Sequence, residues 1–277
     1  MELGIFSRTY EVQNIKEIYN RMKTHALRIT QFNLSSAGLP TLPEKLDEQK
    51  IMEIKELSRQ YGIQLVALSG TFNMISPDES IRQQSCKQFE TQCKIAKLLD
   101  IPIVTLCTGS RNPDSQWHWH DDNRKPEAWD DLRRSTETIL RYAEDNGIIL
   151  GVEPEVSNVV CTPKLARKYL DETGSEHLKI VMDGANLFRL SQVSEMEHVL
   201  REAFILLGKD IVLAHAKDFS VDKNLSFVPA GKGILDFKLY LQLLKQTGYD
   251  GPIVMHGLSE DQVPDSRDFL KGVLAYV

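Results

Sequence analysis

Ile148-Ile149-Leu150-Gly151-Val152-Glu153 is a short apolar run that ends on a carboxylate, and the chain repeats the design three more times. Leu178-Lys179-Ile180-Val181-Met182 ends on Asp183, Ile211-Val212-Leu213-Ala214 on His215, and Gly251-Pro252-Ile253-Val254-Met255 on His256. Each run has the length and apolar content of a buried strand, and each is followed by a loop and then a helical pattern. Strand–loop–helix units repeated in this way build a parallel sheet. When such a sheet closes on itself, the C-terminal ends of its strands open onto one mouth, where barrel enzymes keep their chemistry. Two carboxylates and two imidazoles are then expected together, a set that suits one divalent metal.

The same alternation extends to both ends of the chain. Strands are predicted at roughly 2–6, 26–32, 64–70, 101–107, 148–153, 178–183, 211–216 and 252–256. Helices are predicted at roughly 14–24, 44–61, 78–99, 127–146, 162–174, 194–208 and 236–247, with a last one near 266–276. Ser76-Pro77-Asp78-Glu79 and Thr162-Pro163 place a cap and a proline at helix starts. Gly62, Gly147, Gly174, Gly208 and Gly248 stand just past helix ends, where a left-handed residue closes the last turn. Eight strands and eight helices in 277 residues, without a break in composition, predict one domain over 1–277. The fold class is α/β, a (β/α)8 TIM barrel. A doubly wound open sheet would carry a glycine-rich phosphate loop after its first strand, and Ser7-Arg8-Thr9-Tyr10 offers none.

With 42% hydrophobic residues the chain can bury a full core. A net charge of -6 gives no reason to expect a polyanionic partner, so nucleic acid is not expected. Cys86, Cys93, Cys107 and Cys161 lack close paired spacing and read as reduced thiols. Met1 leads into Glu2-Leu3-Gly4-Ile5-Phe6, a strand pattern without the basic start of a signal peptide. No run approaches the ~18 apolar residues of a membrane span. A cytoplasmic enzyme is expected, and a homo-oligomer is compatible with this reading.

Two connections exceed what a barrel needs. One runs from Thr108 to Pro126 and contains Trp117, His118, Trp119 and His120; the other runs from Lys217 to about Gly233. Long loops at the mouth usually carry function. The first is expected to cover a small polar substrate, with Trp117 against its apolar face and His120 donating to a hydroxyl. Oxygen and imidazole donors together suit Mn²⁺, Co²⁺, Zn²⁺ or Fe²⁺ better than Mg²⁺. Such an ion can hold both oxygens of a hydroxy-carbonyl compound and stabilise the enediolate left when the intervening carbon loses a proton. Glu153 is the first candidate base, because its strand-end position puts the carboxylate near that carbon.

Glu153-Pro154-Glu155, Asp183-Gly184-Ala185-Asn186 and His215-Ala216-Lys217-Asp218 resemble, in order, signatures of the sugar phosphate isomerase/epimerase family. Gly231-Lys232-Gly233-Ile234-Leu235-Asp236-Phe237 and Gly248-Tyr249-Asp250-Gly251-Pro252 continue the likeness. These are xylose-isomerase-like barrels that include D-tagatose 3-epimerase, hydroxypyruvate isomerase and inosose dehydratase. The resemblance implies that Glu153, Asp183 and His215 are metal ligands. It implies that Lys217 and Asp218 support the mouth and that Gly231 and Gly233 shape a substrate loop. Glu155, Asn186, Lys217 and Asp218 are expected to meet substrate, Asn186 through a hydrogen bond to a hydroxyl or carbonyl. Epimerase-like members end their eighth strand on a glutamate that is both ligand and second acid/base. Here His256 stands in that place, so either His256 is the fourth ligand or Glu260 swings in from the following turn, and His256 or Glu260 is expected to assist reprotonation as a catalytic group. The expected activity is isomerisation or epimerisation of a small sugar or keto-polyol. A dehydratase and a non-catalytic sugar- or partner-binding barrel are the alternatives.

Overall fold

A computed structural model describes residues 1–277. The barrel strands are β1 (Leu3–Phe6), β2 (Ile29–Phe32), β3 (Gln64–Ser69), β4 (Ile103–Cys107), β5 (Ile149–Glu153), β6 (Leu178–Asp183) and β7 (Ile211–Ala216). A hairpin of β8 (Asp218–Val221) and β9 (Leu225–Val228) intervenes before the last barrel strand, β10 (Ile253–Met255). The strands close in the order β1-β10-β7-β6-β5-β4-β3-β2. The helices are α1 (Ile15–Thr24), α2 (Glu48–Tyr61), α3 (Glu79–Leu98), α4 (Pro126–Asn146), α5 (Pro163–Thr173), α6 (Met196–Leu207), α7 (Phe237–Gln246) and α8 (Val263–Leu274). The closed (β/α)8 barrel read from the sequence is thus the fold.

The apolar side chains divide into a large layer between sheet and helices and a small one inside the barrel. The inner layer holds Phe6, Ile29, Val66, Ala67, Ile103, Val181, Leu213 and Val254. Successive strand residues alternate between faces, so the residue two further on looks into the barrel again. Counting two on from Ile29, Ile103, Gly151, Val181, Leu213 and Val254 gives Gln31, Thr105, Glu153, Asp183, His215 and His256. The thin apolar floor is therefore roofed by polar groups. Gly151 leaves room in that floor, since a Cβ there would stand 2.7 Å from Val181 Cγ2. The ladder slips by one residue between Thr30 and Gln31 in the β2–β3 pair and between Ile180 and Val181 in the β6–β7 pair.

Several boundaries differ from the sequence reading for local reasons. Strand β2 starts at Ile29 rather than 26, because Ala26 takes a left-handed φ of 55° that ends the preceding turn. Helix α2 starts at Glu48, where the Asp47 side chain accepts from the Lys50 N–H, and α8 starts early, at Val263. Asp78 and Thr162 cap α3 and α5 as their sequence contexts predict. Gly208 is not left-handed: its φ is -55°, and it opens a short 3-10 turn. Its missing side chain serves close approach instead, because a Cβ would lie 2.6 Å from Thr247 Cγ2. The stretch after β7, read as a plain loop, forms the β8–β9 hairpin, whose Phe219-Ser220-Val221 and Leu225-Ser226-Phe227 show period-two alternation. No helix is long and apolar enough to cross a membrane.

Candidate active site

Glu153, Asp183, His215 and His256 each bring one donor atom to the mouth, and the four atoms lie within 4.8 Å of one another. Asp183 and His215 are direct cross-strand partners. Tyr240, reaching in from α7, donates to the carbonyls of Met182 (2.8 Å) and His215 (3.0 Å), and so fixes the ends of β6 and β7 at one level. Within the cluster each imidazole faces a carboxylate oxygen. His256 Nε2 lies 2.8 Å from Asp183 Oδ2, and His215 Nδ1 lies 3.2 Å from Glu153 Oε1. Phe6 closes the apolar side, stacked on His256 at 4.8 Å and edge-on to His215 at 5.2 Å.

The electrostatics follow from burial in company. Burial alone would push the Asp183 carboxyl up, but Lys217 and the two imidazoles outweigh it and hold the group well below the usual carboxylate range. His256 moves the other way, down to about 4, because burial disfavours its cation more than Asp183 supports it. Lys217 is buried, donates to Asn186 Oδ1, and stands 3.4 Å from Asp183 Oδ2. Asn186 in turn donates to Glu153 Oε1 at 2.7 Å. That leaves Glu153 Oε2 facing only the Cys107 thiol, at 3.9 Å. Burial, with Glu153 adding to it, pushes the Cys107 thiol far up, so it stays neutral. Glu155 is pushed up to about 7 by burial, against the pull of the Ser157 N–H and of Lys217.

Above the cluster lies a cavity of about 530 Å³. Trp117, Glu155, Asn186 and Lys217, all expected to meet substrate, line it together with Glu153 and His256. His120 and Asp218 do not. The His120 ring accepts from the Asp122 N–H at 3.2 Å and caps a short turn in the lid. The Asp218 carboxylate accepts from the N–H groups of Phe219, Gly231, Gly233 and Leu235, so it organises the loop after the hairpin. Glu260 is also elsewhere: it is held 2.6 Å from Arg21 Nη1 on α1. The turn after β10 thus carries it away from the cluster. The cavity adds residues that the sequence reading passed over, among them Phe6, Gln31, Cys107 and Phe227. Phe6 and Gln31 sit at the level of the donors on β1 and β2, but neither carries a chemistry that a motif would announce.

The lid loop is pinned at its base. Arg111 N donates to Asn123 Oδ1 (2.7 Å), and Gly109 N to Asn158 Oδ1 (2.7 Å). The Arg111 guanidinium, with Arg82 and Arg134, converges on Asp131 of α4. Trp117, at the outer bend, remains 49% exposed over the cavity.

The donor set fits a transition-metal dication: two oxygens, two imidazole nitrogens and no thiolate. Two atoms each ~2.1 Å from one ion stand at most ~4.2 Å apart, and ~3.4 Å apart across a tetrahedral angle, so a gap of 4.8 Å must contract by at least ~0.6 Å when an ion binds.

Comparison with known proteins supports the fold from several directions. A sequence profile described as a xylose isomerase-like TIM barrel matches residues 36–273. An uncharacterized protein of Methanocaldococcus jannaschii is 26% identical over 239 residues, 84% of this chain and 77% of that protein. An L-ribulose-5-phosphate 3-epimerase of Escherichia coli O157:H7 is 26% identical over 212 residues, 74% of this chain and 69% of the epimerase. The crystal structure of a D-tagatose 3-epimerase-like protein aligns with a TM-score of 0.77 at 20% identity, covering 100% of this chain and 98% of that one.

Proposed function

Because the chain belongs to the xylose isomerase-like TIM barrel family, we propose that it is a divalent-metal-dependent isomerase or epimerase of a small sugar or keto-polyol. The observation that carries this reading is the convergence of Glu153, Asp183, His215 and His256 at the floor of a polar cavity. These four residues would hold the ion. When bound, it would draw charge onto the two oxygens of a hydroxy-carbonyl substrate and stabilise the enediolate.

The remaining work falls to side chains of the chain itself. Glu153 would take the proton α to the carbonyl through Oε2, since Oε1 accepts from Asn186 and stands on the side of the His215 ring. Lys217 sets the donor direction of Asn186 by binding its oxygen, which turns the amide nitrogen toward Glu153. Glu155, raised to about 7, can donate as well as accept at a substrate hydroxyl near neutral pH. Trp117 and Phe227 would cover the apolar face of the substrate, both being partly exposed rings at the cavity wall. Arg8 also lines the cavity, against Phe6 at 5.2 Å, and makes no ion pair. An anionic end group on the substrate would meet it there. The relative that acts on L-ribulose 5-phosphate makes that compound the first substrate to try.

The test is solvent exchange. In D2O with Mn²⁺ or Zn²⁺, the protein should wash out the proton α to the carbonyl of L-ribulose 5-phosphate or of an unphosphorylated ketose, followed by NMR. Metal-loaded protein that exchanges none of these protons would leave only a binding role.

Two further outcomes follow. Trp117→Ala is expected to raise KM several-fold with little change in Tm, whereas His120→Ala should lower Tm slightly and spare the kinetics. Steady-state rates and thermal melts separate them, and a large Tm loss for Trp117→Ala would assign that ring to packing. A metal-bound imidazole has committed a lone pair and cannot also be a free base. With Glu260 tied to Arg21, wild type is therefore expected to favour aldose–ketose interconversion, which one base can serve. His256→Glu should raise the share of epimerisation several-fold in product ratios from paired substrates. Efficient epimerisation by wild type, unchanged in His256→Glu, would remove position 256 from control of the reaction.

A further inference from the structure

His215 is gripped from two sides, and the second grip is not part of the donor cluster. Its Nδ1 faces Glu153 Oε1, while its Nε2 lies 2.8 Å from Gln31 Oε1 on β2, reached past β1 and β10. Gln31 is 2% exposed, and the closed sheet seats its amide in one orientation. Its amide nitrogen donates to Ser69 Oγ and Thr105 Oγ1, each at 2.9 Å, so both amide hydrogens are used on β3 and β4. That leaves the carbonyl oxygen pointing at the imidazole. A carbonyl can only accept, so the ring nitrogen opposite it must carry hydrogen.

We infer that Gln31, held by Ser69 and Thr105, is a positioning residue that fixes His215 as the Nε2–H tautomer and presents Nδ1 as its metal-binding atom. The inference rests on the metal-site reading above but reaches beyond it, to a residue that touches neither ion nor reacting atoms. A neutral imidazole has one lone pair, and the hydrogen bond at the other nitrogen decides where it is. Without Gln31 the hydrogen can move to Nδ1, where Glu153 Oε1 would accept it. The lone pair would then face the centre of the barrel rather than the cluster. The relay also explains why two hydroxyl residues, Ser69 and Thr105, occupy the polar layer on strands that bring no donor to the cluster.

The experiment uses the whole protein, Zn²⁺ or Mn²⁺ alone, and no sugar. Isothermal titration should show Gln31→Leu binding the metal 10- to 100-fold more weakly, the range common for groups that orient a ligand. Gln31→Glu keeps an acceptor in place and should recover most of the affinity. Ser69→Ala/Thr105→Val frees the amide to rotate and should weaken binding with Gln31 still present. Long-range ¹H–¹⁵N NMR of metal-free protein should find hydrogen on His215 Nε2 in wild type, whatever Nδ1 shares with Glu153, and should find Nε2 without hydrogen in Gln31→Leu. A merely structural residue would lower Tm without moving that signal. Equal metal affinity in wild type and Gln31→Leu, or an unchanged tautomer, overturns the inference. A wild type that binds no metal sinks the metal site, and the tautomer measurement still decides the role of Gln31.

Discussion

Glu153→Gln is expected to lower turnover by about 10²–10⁴-fold while the protein stays folded. The amide matches the carboxylate in size, and its oxygen can still accept from Asn186 Nδ2, now 2.7 Å from Oε1. What it cannot do is take a proton. Its nitrogen would occupy the place of Oε2, opposite a Cys107 thiol that burial keeps neutral, so no nearby anion replaces the lost base. The amide is also a poorer ligand, and metal affinity should fall with the rate. Melting temperature, metal titration and solvent exchange on one preparation separate these effects. Near-wild-type turnover in Glu153→Gln would mean that the base lies elsewhere.

Asp131→Ala should produce the largest loss of stability among single changes near the site. Asp131 is buried and gathers Arg82, Arg111 and Arg134, of which Arg82 is itself buried. Removing one member of a buried charge pair costs about 3–5 kcal/mol, because the other is left uncompensated. The backbone carbonyls that Arg82 and Arg111 also reach, at Ser76, Ile75 and Glu127, favour the lower end. A loss of that size corresponds to a Tm drop on the order of 10 °C in a chain of this length. Burial pushes the Asp131 carboxyl up, yet Arg111, Arg134 and Arg82 together bring it below its ordinary value. A carboxyl lowered in the folded state contributes stability above its unfolded pKa of about 3.9, and that contribution is lost as pH falls through the folded value. The Asp131 variant should therefore show a flatter acid limb in melts recorded from pH 7 down to 3. A variant whose Tm matches wild type at pH 7 would reduce the three arginines to surface decoration.

The barrel was legible because both of its signals are periodic. Strand runs, caps and loop lengths each repeat, and one misread glycine, Gly208, does not disturb the order of elements. The four clustered donors were legible for the same reason: each is the last residue of a run, and closure brings run ends together. Side chains on loops were not so constrained. His120 and Asp218 satisfy their own backbone neighbourhoods, and Glu260 is captured by an arginine more than two hundred positions away in sequence. Short polar side chains compete for nearby backbone groups, and no spacing rule says which partner wins. Gln31 was hidden for another reason. Its partners are on β3, β4 and β7, and only the closed sheet shows that its amide is fully used.

The two slips in the ladder have a meaning for anyone who would tidy this barrel. Were β6 and β7 paired without interruption beyond Ile180 and Ile211, Asp183 would stand across from Ala214, and His215 would lie one step beyond it. The other slip puts Gln31 across from Ala67, where an unbroken β2–β3 ladder would set it against Val66. Both dislocations thus lie just beneath the Gln31–His215 contact. Such bulges re-aim side chains at the rims of barrels and next to sites. An idealised version of this sheet, smoothed for uniform pairing, would gain a regular ladder and lose the alignment of its working layer. In this molecule, the faults in the weave are what make the pattern meet.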